Sequence, residues 1–198
     1  MPVTSIVTGK DYLLGYNDGS NVYLIMNYNA DPLTSVYETS RYRYIYSSTY
    51  YAYGVKAVLD SSGNVIDVDR SIYSNASLEN MKWNFITTSK GYKIRSAKEP
   101  SMYLRAHANS KYAHLLVSSG YYNATDWNWN YSQRLMSYKL LGGVTKYISY
   151  VPTVNGHQNF FKAGTAVGTV VLYRRVEQIN SYVVSNDMSN AGLCMNVN

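Results

Sequence analysis

The 198-residue chain is short of most groups that carry catalysis. Its one cysteine, Cys194, cannot form an internal disulfide, so the fold does not depend on oxidation. A lone thiol also excludes a cysteine-based zinc site, and His107, His114 and His157 lack the spacing of a ligand set. Glutamate is limited to Glu38, Glu79, Glu99 and Glu177. No Gly-rich phosphate loop or nucleophile elbow is present. No run reaches the ~18 apolar residues of a membrane helix, and no apolar h-region follows Met1. These gaps lead us to expect no catalysis, no cofactor, no metal and no membrane span. A protein of this kind acting outside its cell is expected to leave without a classical signal peptide.

Helical periodicity is nearly absent as well. Short alternating runs dominate, bounded by Gly, Asn, Ser and Asp. Tyrosine is plentiful, with 23 copies against 3 phenylalanines. It suits half-buried strands, where the ring packs and the hydroxyl reaches water or a partner. The net charge of +6 favours anionic surfaces. The basic residues are dispersed, however, so a solvated face explains them better than a nucleic-acid site.

A phrase returns three times. Tyr12-Leu13-Leu14 is followed by Tyr23-Leu24-Ile25, Tyr92-Lys93-Ile94 by Tyr103-Leu104-Arg105, and Tyr138-Lys139-Leu140 by Tyr147-Ile148-Ser149. Trp83 precedes Tyr92, and Trp129 precedes Tyr138, by the same nine residues. Such self-similarity implies three copies of one supersecondary unit, with a period of about 46 residues. Unit two reads as strands at 91–96, 102–106, 114–118 and 126–131. Unit three reads as strands at 137–141, 146–151, 159–162 and 169–174, with turns at Gly142-Gly143 and Asn155-Gly156. Unit one has strands at 11–16, 22–28 and 82–87. It holds further candidates at 41–46 and in a 55–59/65–69 hairpin. The alternation and the repeat place Leu14, Leu24, Trp83, Phe85, Ile94, Leu104, Leu116, Trp129, Leu140, Ile148, Phe160 and Leu172 in the core.

Unit one is longer than the others, and the excess is assigned to 30–54, a tyrosine-rich insertion. Its Arg41-Tyr42-Arg43-Tyr44 alternation suggests one cationic and one aromatic face. Tyr42, Tyr44 and Tyr46, with Arg41 and Arg43, are candidate contacts for a partner or a second copy, because exposed aromatic clusters mark contact surfaces. A lid over the barrel is the competing reading. The main domain is placed at 1–176 and a C-terminal extension at 177–198. Asp60, Asp67 and Asp69 could suggest a calcium site, but a solvated turn is the stronger reading. Three glycan-acceptor sequons, at Asn75, Asn123 and Asn130, carry no weight without a secretory signal.

At Lys82-Trp83-Asn84-Phe85, Gly91-Tyr92-Lys93-Ile94 and Met102-Tyr103-Leu104 the chain resembles a ricin-B-type β-trefoil. Its cadence is similar to that of the small hemagglutinins of clostridial toxin complexes and the trefoil modules of bacterial insecticidal toxins. The resemblance spans roughly residues 10–176. It implies an all-β fold of three four-stranded units, a six-stranded barrel closed by a hairpin cap. It also implies a non-catalytic, lectin-like bacterial module that binds a cell-surface glycan or glycoprotein. The family's Gln-x-Trp motif is changed here to Met81-Lys82-Trp83 and Trp127-Asn128-Trp129, and unit three has Leu172-Tyr173 instead. No unit therefore holds a complete family pocket. Trp127, with Asp126, Tyr121, Tyr122 and Asn128, is the candidate sugar platform, and core packing is its competing role. The alternative function is a structural or self-assembling subunit of a toxin or phage complex. Protease inhibition, known from another trefoil family, is a third.

Overall fold

The computed structural model describes residues 5–27, 42–46, 49–108, 113–122, 124–154 and 157–174. Within them the chain is all-β. The strands are β1 Asp11–Asn17, β2 Val22–Ile25, β3 Tyr42–Tyr46, β4 Thr49–Leu59, β5 Val65–Val68, β6 Lys82–Thr88, β7 Gly91–Ser96, β8 Met102–Ala106, β9 Leu115–Ser119, β10 Asn128–Asn130, β11 Leu135–Lys139, β12 Thr145–Val154, β13 His157–Gly164 and β14 Val171–Arg174. The one helical element among the described residues is a 3-10 turn, Leu78–Met81. No helix among them is long and apolar enough to cross a membrane. The expected strands are present with their ends shifted by a few residues. The exception is the expected 126–131 strand, where regular pairing is confined to Asn128–Asn130.

Every strand pair among the described residues is antiparallel. β1 lies between β14 and β6, β6 pairs β7, and β10 pairs β11. An isolated bridge joins Tyr92 in β7 to Trp127, just before β10. The Val170 N–H, just before β14, donates to Arg134 O, just before β11, at 2.8 Å. Outside these pairings stand three hairpins: β2 with β4, β8 with β9, and β12 with β13. Each hairpin is fed by a short pairing from the strand before it, β1 to β2, β7 to β8 and β11 to β12.

The registers correct the reading of the repeat. Tyr12 stands opposite Trp83, and Tyr92 opposite Trp127. The Trp83 Nε1–H donates to Ile25 O at 3.1 Å, and the Trp127 Nε1–H donates to Leu104 O at 3.1 Å. Trp127, not Trp129, is thus the counterpart of Trp83. Val170 takes the same place in the third unit, since its N–H reaches Arg134 as the Trp127 N–H reaches Tyr92 O. Three layers follow: Leu14, Ile94 and Met136; Ile25, Leu104 and Ile148; Trp83, Trp127 and Val170. All nine side chains are fully buried and share one core. Alternation along a strand repeated three times accounts for them. Gly91 lets β7 approach the Trp127 backbone. Its φ is +133°, and a Cβ there would lie 2.3 Å from Trp127 O.

The other expected core residues are buried except two. Leu116 is half-buried because β9 is displaced by one residue, so Leu115 and Val117 face inward instead. Trp129 is half-buried and packs against the core from its edge.

Unit one adds a second core. Val22, Leu24, Met26, Tyr53, Val55, Ala57, Val68, Tyr73, Met81 and Phe160 belong to it. Buried Asn27 ties it down: its N–H donates to Asn80 O at 2.6 Å and its Nδ2 to Glu79 O and Lys82 O. This core corrects the expected insertion. Ala52 and Tyr53 are buried and pair with Phe161 and Phe160 of β13, so the last residues of 30–54 are part of the packed body. Much of the excess length lies after β4, in β5 and the connection to β6.

Candidate functional site

The expected platform is only partly assembled. Trp127 is fully buried and its indole N–H is engaged by Leu104 O, so neither ring face can receive a sugar. It is a core residue because it occupies the inward position opposite Tyr92. Around it, three of the other named residues do meet. Tyr121 lies edge-on to Tyr122 and to Tyr103, with centroids 5.7 Å and 5.9 Å away. Tyr122 is 95% exposed and Tyr121 41%. Beneath them the buried Lys93 Nζ sits 4.9 Å from the Tyr121 ring centroid, donates to Ala124 O at 2.8 Å and stands 3.5 Å from Asp126 Oδ1. That carboxylate also accepts from Thr88 Oγ1 at 2.9 Å. Asp126 is therefore spent on neutralising a buried ammonium, as burial of a charge requires. Asn128 is exposed on β10. What remains for a ligand is a pair of tyrosine rings above an internal ion pair.

The contact residues of the tyrosine-rich segment divide. Arg41 lies outside the described residues. Tyr42, Arg43, Tyr44 and Tyr46 form β3, opposite Ala52, Tyr51, Tyr50 and Thr49 of β4, with a register shift between Tyr44 and Tyr46.

A second site was not visible in the sequence. A cleft of about 210 Å³ opens beside the unit-one hairpin, lined by Tyr23 of β2, Gly54 and Lys56 of β4, Asp69 and Tyr73 of the β5–β6 connection, and Asn159 of β13. Tyr23 and Lys56 are register partners across β2 and β4, which puts the ring and the ammonium on one face. The Asp69 N–H donates to Lys56 O at 2.8 Å, and Asp69 Oδ1 accepts from the Ser71 N–H at 2.8 Å. Those bonds from Ser71, and then the Lys56 charge, hold the Asp69 carboxyl below its ordinary value. It is a fixed anionic acceptor at neutral pH.

Tyr23 is held from behind by a stack of rings. Tyr150 lies between Tyr16 and Tyr23, with centroids 4.7 Å and 4.8 Å away and interplanar angles of 13° and 18°. The Tyr150 hydroxyl donates to Asn159 Oδ1 at 2.6 Å, and burial, then the neighbouring Tyr23, push its pKa up. With Oδ1 occupied, Asn159 offers its Nδ2 as donor. Asn159 has φ +64°, a left-handed conformation that Asn tolerates better than most residues. Gly54 permits the approach of β13, since a Cβ there would lie 2.8 Å from Asn159 O. The cleft thus gathers a ring, an ammonium, an ionised acceptor and an amide from parts of the chain up to 136 residues apart.

The other aspartates near β5 serve their own turns. Asp60 Oδ1 accepts from the N–H groups of Ser62 and Asn64 at 2.8 Å each, and Asp67 pairs with Arg70 at 2.8 Å. Among the described residues no group of three or more His, Cys, Asp or Glu side chains is gathered.

Known proteins give little further. No family model matches the chain, and no curated protein does. A solved structure of a mosquitocidal holotoxin aligns with 87% of this chain at 14% identity and a TM-score of 0.46. That alignment takes in 18% of the toxin chain, so this protein spans under a fifth of its length.

Proposed function

We propose that this chain is a non-catalytic, carbohydrate-binding β-trefoil module that attaches to a cell surface after release, as a component of a bacterial toxin. Support for the trefoil comes from the strand sequence β14–β1–β6–β7, the Tyr92–Trp127 bridge, β10–β11 and the Val170–Arg134 bond, together with three outer hairpins and three repeated core layers. The observation that carries the binding reading is the cleft. Fixed polar groups around an aromatic ring suit a hydroxylated ligand: Asp69 accepts from hydroxyls, Asn159 and Lys56 donate, and Tyr23 offers apolar carbon. The volume is below the ~300–1,000 Å³ of drug-sized pockets, which matches a single sugar ring at the end of a glycan. Affinity at one such site is weak, and avidity from several copies on one surface raises it.

A glycan array followed by calorimetry tests this reading. Wild type should select a discrete set of glycans, Asp69→Ala should lose them, and Tyr122→Ala should keep them. Silence across the array from folded protein removes the carbohydrate reading. Tyr122, at 95% exposure beside Tyr121, favours the second reading, a structural or self-assembling subunit that packs against a partner. A discrete complex by light scattering, lost in Tyr122→Ala, together with a silent array, supports it.

A further inference from the structure

Asn159 lines the cleft, but the direction of its amide is set from outside it. Tyr150 of β12 is not a lining residue. Its ring is held between Tyr16 and Tyr23, at 4.7 Å and 4.8 Å, and meets Phe161 of β13 at 5.5 Å and 61°. A ring gripped on both faces cannot swing, and its hydroxyl donates to Asn159 Oδ1 at 2.6 Å. The backbone places Asn159 there. Val151 pairs with Phe160 and Thr153 with Gln158, so Asn159 falls opposite Pro152. Proline has no N–H to give to that rung. Asn159 leaves the extended conformation at this point, with φ +64°. Among the described residues its Nδ2 takes no partner.

We infer that Tyr150 is a positioning residue for the cleft: its hydroxyl holds the Asn159 amide with Nδ2 toward the ligand, and so requires the group bound there to be a hydrogen-bond acceptor. This rests on the carbohydrate reading of the cleft and adds to it the polarity of one contact. An unheld amide presents oxygen or nitrogen with nearly equal ease, because its two ends have the same shape. A protonated phenol ends that choice, since its O–H needs an acceptor and only Oδ1 can accept. Burial, and then Tyr23, keep the Tyr150 hydroxyl protonated far above the ordinary phenol range. Asp69 is the opposite case, an ionised acceptor that only a donor satisfies. At Asp69 the cleft asks for a donor, and at Asn159 for an acceptor. A sugar hydroxyl answers either demand, whereas an ether, acetal or N-acetyl oxygen answers only that of Asn159. Ligands are told apart by this difference, because a site built around a hydrogen bond rejects a group that leaves its own polar atoms unpaired.

A double-mutant cycle on the full chain tests the inference, with Tyr150→Phe and Asn159→Gly measured by calorimetry against the strongest glycan of the array. Phenylalanine keeps the stacked ring and removes the hydroxyl. Glycine removes the amide and suits the left-handed φ. Tyr150→Phe should weaken binding roughly 3–10-fold in the wild-type background, the loss expected when one more side chain must be ordered on binding. In the Asn159→Gly background it should change binding by less than about 2-fold, since no amide is left to hold. Equal losses in the two backgrounds, or no loss in either, overturn the inference and leave the carbohydrate reading in place. A silent array from folded protein removes that reading, and the inference with it. If Asn159→Gly does not fold or binds too weakly to measure, NMR of wild type and Tyr150→Phe without ligand decides. A shift of the Asn159 side-chain amide resonances larger than that of the Tyr16 and Tyr23 backbone amides sustains the inference, and a shift no larger ends it.

Discussion

The molecule has two cores, and they differ in kind. The inner one is written three times. Leu14, Ile94 and Met136 stand at one repeated position, and Trp83, Trp127 and Val170 at another. The second core is written once: beside side chains of β2, β4, β13 and β14 it takes Val68 of β5, Tyr73 and Ala76 of the β5–β6 connection and Met81 of the 3-10 turn, which have no counterpart among the described residues of the other units. The inner core reaches the cleft through Tyr23, which packs against it. The second opens at its rim into the cleft, where its members Val55 and Tyr73 share the lining with Tyr23 and Asn159. Repetition builds a body that holds its shape, and the unrepeated β5–β6 connection adds Asp69 and Tyr73 to a surface that β2, β4 and β13 begin.

That contrast can be broken by substitution. Trp127→Ala removes a fully buried ring from the repeated layer and should cost about 3–5 kcal/mol, read by urea unfolding. A cost near zero would mean that Trp127 is not a structural residue. Met81→Ala, in the second core, should cost about 2–5 kcal/mol, with a loss of glycan binding that exceeds the loss at equal folded fraction in Trp127→Ala. Gly91→Ala forces a Cβ toward Trp127 O and should destabilise by about 1–3 kcal/mol, because the close approach and the positive φ must both be relieved. Tyr122→Ala, on an exposed ring, should change stability by no more than about 0.5 kcal/mol.

Acid gives a further separation. The Asp69 carboxyl is held low by Ser71 and Lys56, so its contribution to stability, and to the proposed ligand binding, is present above the ordinary carboxylate range. It is lost as pH falls through the depressed folded value. Asp69→Asn should abolish binding at neutral pH and flatten the acid limb of the stability profile there, a small effect because the group is half-exposed.

The strands and the inner core were legible because alternation repeats: Leu14, Ile94, Leu104 and Ile148 follow from period two and the recurring Tyr phrase. The phrase misled at one point. Counting from tyrosine to tyrosine matched Trp129 with Trp83, whereas the register matches Trp127. The reason is that Arg134, not Tyr138, is the counterpart of Tyr92, as the Val170 bond to Arg134 requires. Tyr138 lies four residues past Arg134, and the step from Trp127 to Arg134 is two residues shorter than that from Trp83 to Tyr92, so a count from ring to ring lands two residues late. Burial of Trp127 follows directly. The cleft was illegible for a different reason. Tyr23, Lys56, Asp69 and Asn159 are unremarkable singly, and they converge only because β2 pairs β4 and β4 pairs β13. No spacing encodes a contact made across a sheet between distant strands. The burial of Lys93 is illegible for the same reason, since Asp126 and Tyr121 meet it only in the folded chain.

The central claim is that the unrepeated cleft, and not the Tyr121–Tyr122 surface, takes a sugar. Backbone amide shifts recorded while the strongest array glycan is titrated into the full chain test it most directly. The account predicts saturable shifts at Tyr23, Lys56, Asp69 and Asn159, with Tyr121, Tyr122 and Asn128 unmoved. Shifts confined to those last three residues, or absent throughout, would contradict it.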